Sequence, residues 1–272
     1  MATSTKNKKR KRRRQSGFVK LLIALMIITI LGAVGYTLSV TVFFNIANIT
    51  VKGETQYSQQ DILDASGVKK GANMNLLDLE LVEADICAKL PYIGEAEVSR
   101  KYPDTITITV KACKADSAYK TDKGYLLTYK EKVLDSVTTK PEKLPVIEAK
   151  IKRYAIGAKV VLDERMEDII NSVRSSVESA GIKGITAINV ANISDIEVTI
   201  DDLIVLQLGS TENLDKKCKN AAKIIESSRK KYGDIVEGYA NLRYLTGDSN
   251  KSYFTRKSIH SDEQVTSTEE KQ

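Results

Sequence analysis

Between Leu21 and Phe44 stand 24 residues without a single charge, LLIALMIITILGAVGYTLSVTVFF. As a helix this stretch is roughly 36 Å long at 1.5 Å per residue, enough to cross a hydrocarbon core of about 30 Å with some tilt. A helix satisfies its own backbone hydrogen bonds, so the segment is stable in lipid despite Gly32 and Gly35. Nine basic residues lie between Lys6 and Lys20, and no acidic residue precedes Glu54. Basic residues hold their flank in the cytoplasm, which predicts an N-in, C-out chain. A cleaved signal peptide is the competing reading, because Ala33-Val34-Gly35 is a passable small-x-small site. The apolar run continues past that site to Phe44, so retention as an anchor is the favoured expectation.

The basic tail also explains the isoelectric point near 9.1. Of 42 Lys and Arg, nine are in the tail, which leaves 33 against 35 Asp and Glu. A near-neutral remainder gives nucleic-acid binding no support. The tail is suited instead to anionic lipid head groups, each basic residue contributing on the order of 1 kcal/mol near the surface.

Catalytic chemistry finds little to work with. The single histidine, His260, lies in a polar C-terminal stretch, so Ser-His and Cys-His mechanisms lack a base in the folded part. Asp201-Asp202 falls where a hairpin turn is expected, and local hydrogen bonding accounts for it better than metal binding. Gly67, Gly71, Gly181 and Gly184 are too sparse for a phosphate loop. Cys87, Cys113 and Cys218 form no metal or redox motif; they read as small buried residues, with a Cys87–Cys113 disulfide left open. No catalytic residue, cofactor or metal site is expected.

Beyond the membrane segment the periodicities predict an α+β chain. Phe44 to Lys52 alternates as a strand. Ser58 N-caps a helix with Ile62, Leu63 and Ala65 on one face and Gly67 as its end. A second helix is predicted from Leu76 to Leu90 with Leu77, Leu81, Ala84 and Ala88 inward, and strands at Ile93–Lys101 and Thr105–Ala112 flank a Tyr102-Pro103-Asp104 turn. This β-α-α-β-β order suits a three-stranded sheet covered by two helices. From about Tyr119 a second, β-rich unit follows. It has a hairpin at Tyr125–Tyr129 and Lys132–Asp135, a short edge segment at Leu144-Pro145-Val146-Ile147, and a helix from Asp163 or Glu164 to Ala180. Three strands over Ile185–Val190, Ile196–Ile200 and Leu203–Leu208 come next, then a helix at Leu214–Lys231 and a long strand at Ile235–Tyr244. Tyr253-Phe254 adds a further short strand before a polar tail.

Several phrases in this order resemble the FtsQ/DivIB family of bacterial division proteins. ITVKGETQYSQQDILDASGVKKGANMNLLDL and LPYIGEAEVSRKYPDTITITV are similar to the opening and close of that family's POTRA domain. LPVI at Leu144 and NLRY at Asn241–Tyr244 resemble its Leu-Pro segment and a late Asp-Leu-Arg-Tyr strand, although here Asn241 replaces the Asp and Lys111-Ala112-Cys113-Lys114-Ala115 departs from the usual Glu-Arg phrase. The resemblance implies a basic cytoplasmic tail (1–20), a transmembrane helix (21–44), a POTRA domain (45–114), a β domain (115–255) and a disordered polar tail (256–272). It further implies a cell-membrane scaffold, not an enzyme, that binds FtsB/DivIC-type and FtsL-type proteins and helps control septal peptidoglycan synthesis. Partner contacts are implied at Leu242, Arg243 and Tyr244, with Tyr239, Tyr253 and Phe254 as additions. Strand alternation puts Arg243 opposite Leu242 and Tyr244, so one of the three faces the core or an ion pair. A membrane-anchored wall hydrolase and a POTRA-type assembly component are the alternatives; the latter normally carries a series of about 10-residue barrel strands, which this sequence lacks.

Overall fold

A computed structural model describes residues 17–38, 44–245 and 252–257. Helix α1, Gly17–Leu38, is long and apolar enough to cross a membrane, and its side chains from Gly17 to Thr37 touch no protein core. It starts four residues before the charge-free run, taking in Phe18 and Val19 and admitting Lys20. A lysine near a helix end keeps its ammonium in the polar interface while its stem lies along lipid. The basic run Lys6–Arg14, residues 39–43 and His260 lie outside the described residues.

The first unit is a three-stranded sheet in the order β1-β3-β2, with β1 at Asn48–Lys52, β2 at Ile93–Lys101 and β3 at Thr105–Ala112. β1 runs parallel to β3 and β2 antiparallel to it. Two helices cover one face. In α2, Gln59–Ser66, Ser58 and Asp61 exchange bonds in a capping box and Gly67 closes the end at a φ of 65°. α3, Leu79–Lys89, is capped by Asp78, and a 3₁₀ turn at Met74–Leu76 precedes it where the sequence predicts one longer helix. Its inward face also differs from expectation: Val82 and Ile86 are buried, whereas Leu81 is 60% exposed. The later start at Asp78 sets the helix phase, and the branched side chains four residues apart meet Ile62, Ile93 and Val98 in one core. The first strand is also shorter than the alternation from Phe44 suggests, because Asn45 bridges Asn73 instead of joining β3.

The second unit is one nine-stranded sheet in the order β14-β13-β12-β11-β10-β7-β4-β5-β6. One half comprises β4 (Ser117–Thr121), β5 (Gly124–Tyr129), β6 (Lys132–Val137) and β7 (Val146–Glu148). The other half comprises β10 (Ile185–Asn189), β11 (Ile196–Ile200), β12 (Ile204–Gly209), β13 (Gly238–Asn241) and β14 (Tyr253–Arg256). A separate short hairpin is formed by β8 (Ile151–Arg153) and β9 (Val161–Leu162). Helices α4 (Met166–Ser179) and α5 (Leu214–Tyr232) lie together against the sheet. Their apolar stripes, Ile170, Val173 and Val177 on one and Cys218, Ala221 and Ile225 on the other, share its core.

Two strands correct the sequence reading. The Val146-Ile147 segment is not an edge: β7 lies in the interior, parallel to both β4 and β10, and both residues are buried. Pro145 is tolerated because it precedes the strand and its carbonyl accepts Ala118 N–H at 2.9 Å. The strand predicted over Ile235–Tyr244 shrinks to β13, four residues, since Leu242 onward turns away. Asp201 and Asp202 do form a turn, with φ of 52° and 58°, as a type I′ hairpin requires. Cys87, Cys113 and Cys218 are free thiols.

The units meet where the end of α3 and the start of β2 face β6. Lys132 Nζ donates to Cys87 O at 3.2 Å and to Ile93 O. Gly157, at a φ of 82°, brings its backbone so close to Ala88 that a Cβ there would collide with Ala88 O.

Candidate partner-binding edge

Strand β14 closes the sheet on the side opposite the joint with the first unit. It pairs antiparallel with β13, Tyr239 opposite Thr255, Ala240 opposite Phe254 and Asn241 opposite Tyr253. Lys257 N–H donates to Glu237 O at 3.0 Å, so by alternation the N–H groups of Phe254 and Arg256 point to the open side. Side chains alternate too. Tyr239 and Tyr253, 40% and 55% exposed, stand on the face away from the helices, where Asn241 Nδ2 donates to Tyr253 Oη at 3.3 Å. Phe254 turns to the helix face and stacks on Tyr232 of α5 with ring centroids 6.5 Å apart. Arg256 and Lys231 lie over the same Tyr232 ring, at 5.5 and 5.0 Å. Sequence reasoning passes over Tyr232; the run Lys230-Lys231-Tyr232-Gly233 at a helix end, basic and aromatic together, is the signal that points to it.

Leu242, Arg243 and Tyr244 part company. Leu242 is fully buried, anchored by its N–H to Gln207 O at 2.9 Å. Arg243 reaches back across the sheet, Nε to Asp195 Oδ1 at 2.7 Å and Nη2 to Glu197 Oε1 at 3.1 Å. The hydrogen bond to Asp195 and the charge of Glu197 hold its guanidinium protonated. Tyr244 is 66% exposed. Of the six predicted residues the structure thus gathers Tyr239, Tyr253 and Phe254 on the β13–β14 ribbon, leaves Tyr244 exposed at its end, and gives Leu242 and Arg243 to the core and an ion pair. Among the described residues no group of three or more His, Cys, Asp or Glu side chains is placed to hold a metal ion.

A candidate membrane-spanning helix, a small β-α-α-β-β unit and a large sheet ending in an open strand define a membrane-linked POTRA protein, and the comparisons carry the point further. Residues 44–111 match the POTRA domain of the FtsQ type. The chain is 27% identical over 191 residues to the cell division protein DivIB of Clostridium acetobutylicum, covering 69% of this chain and 76% of the relative. It is 26% identical to DivIB of Clostridium botulinum over 87% of this chain and 91% of the relative. FtsQ of Mycobacterium leprae is 31% identical over 93 residues, 34% of this chain and 27% of that protein. This chain is a homologue of the FtsQ/DivIB proteins.

Proposed function

We propose that this chain is a non-catalytic scaffold of the bacterial division machinery, anchored by α1 with its N-terminus in the cytoplasm and its two folded units outside. The observation that carries the reading is β14, a terminal strand whose outward N–H groups have no neighbouring strand within the described chain and whose flanks carry exposed tyrosines. An extended partner segment adds to such an edge through backbone hydrogen bonds, while aromatic side chains supply the anchoring contacts. Division proteins of the FtsB/DivIC and FtsL types are the proposed partners, and through them the scaffold influences septal peptidoglycan synthesis. The basic tail adds contact with anionic lipid.

Full-length protein in detergent, mixed with the organism's FtsB/DivIC-type partner, tests this by pull-down. Arg256→Pro, which removes an outward N–H, and Tyr253→Glu are expected to abolish capture, and Tyr244→Glu to weaken it, with circular dichroism unchanged. Capture indifferent to all three places the interface elsewhere. Cleavage of peptidoglycan by the purified chain overturns the non-catalytic reading.

A further inference from the structure

Apart from α1, the described chain exposes few large apolar side chains as heavily as Leu76, at 79%, and Tyr102, at 60%, belongs with it. They come from distant segments, the 3₁₀ turn and the β2–β3 turn, yet share one end of the POTRA unit. Tyr102 Oη donates to Asn75 Oδ1 at 2.8 Å, and its ring meets that of Phe44 edge-on at 5.3 Å. Met74 N–H donates to Phe44 O at 2.9 Å. Arg100 fixes the turn from below, its Nε bonded to Met74 O at 2.8 Å and its Nη2 to Leu77 O at 2.6 Å. Leu76 is therefore held outward by a braced backbone.

The same end receives the chain from α1. With 22 residues, α1 is about 33 Å long and spans a hydrocarbon core of about 30 Å. Leu38 and Phe44 are six Cα steps apart, a reach of at most about 22 Å. This end of the unit cannot stand far from the surface where α1 emerges. Its chemistry suits that surface: a leucine, a phenylalanine edge, a tyrosine with a polar tip, and exposed Lys101 beside them. We propose that the Phe44–Leu76–Tyr102 end of the POTRA unit docks on the lipid interface, fixing the tilt of the outer units over the membrane. The proposal rests on α1 spanning the bilayer.

The chain contains no tryptophan, so Leu76→Trp introduces a single reporter. The full chain would be placed in nanodiscs of phosphatidylcholine and phosphatidylglycerol, with and without brominated acyl chains. Ile193→Trp, at a 50% exposed site in the β10–β11 loop, is the comparison. Recovery of the chain with the discs tests the anchoring itself; failure there overturns both readings. With the chain in discs, brominated lipid is expected to remove at least about half of the indole emission of Leu76→Trp, because an interfacial side chain touches the acyl region, and to leave that of Ile193→Trp unchanged. Adding Tyr102→Asp to Leu76→Trp should bring its emission to the unquenched behaviour of Ile193→Trp. Three results from the Leu76→Trp chain overturn docking: no quenching, a blue shift without quenching (cover by protein, residues 39–43 included), or quenching that survives Tyr102→Asp and so comes from the tether alone.

Discussion

Arg243 illustrates how a residue that resembles an interface anchor is occupied by its own fold. Its guanidinium spans two carboxylates from neighbouring positions, Asp195 and Glu197, with its side chain 27% exposed. Partial exposure screens the pair, so Arg243→Ala is expected to cost about 1 kcal/mol in chemical denaturation. Arg243→Lys should recover little of this, since an ammonium lacks the fork that reaches both acids. Strand alternation exposes the conflict within Leu242-Arg243-Tyr244 from sequence alone; which residue turns to an ion pair depends on Asp195, 48 positions away, which no local pattern reveals. Lys217 is equally hidden. A lysine's charge favours solvent, yet its place three residues after Leu214 and four before Ala221 sets it on the apolar side of α5, where it is fully buried, donating to Ser210 O at 2.9 Å, with no carboxylate in ion-pair range among the described residues. Burial pushes its pKa below the ordinary 10.5. Lys217→Met is expected to raise the melting temperature at neutral pH, by a gain of about 1 kcal/mol. A depressed lysine binds fewer protons folded than unfolded, so the native chain gains stability as pH rises from the lowered value toward 10.5. The gap between native and Lys217→Met should narrow over that window.

At the scale of elements, local signals are legible in the sequence and non-local pairings are not. Ser58 and Gly67 bracket α2 because their chemistry acts within a few residues. The phase of α3 escapes the pattern because Leu77 and Leu81 compete with Val82 and Ile86 as inward residues, while Asp78 decides the start. β7 reads as an edge because three residues flanked by proline and charges carry no record of their neighbours, yet parallel pairing with β4 and β10 puts it mid-sheet. Non-local parallel pairs leave no periodic trace. Helix α4 has an unfavourable beginning: Arg165 occupies its N-cap at a φ of 66° with no side-chain cap bond. Arg165→Gly is expected to stabilise the chain by about 1 kcal/mol, relieving a left-handed backbone that costs L-residues about that much. Thermal unfolding of the two proteins checks this.

For the whole molecule the joint between the units is the feature on which most depends. Gly157 is there because nothing larger fits against Ala88 O, and Lys132 ties the same place to the first unit through two carbonyls. Gly157→Val is expected to loosen the joint without unfolding either core. Calorimetry should then separate two transitions, and trypsin should cut after exposed Lys114, between β3 and β4, several-fold faster, since local opening governs cleavage.

The sheet order also sets a length. From β6 at the joint to β14 there are eight strand spacings, about 38 Å at about 4.8 Å each. β2 adds about 27 Å between the joint at Ile93 and the Lys101 end, where the anchor enters. With that end at the membrane, as proposed, the chain is a ruler whose far mark lies up to about 65 Å from its foot. A partner rooted in the same bilayer would need up to about 43 residues of continuous helix to bring its own strand level with that mark, so its stalk length, before any side chain is compared, decides whether it can pair there.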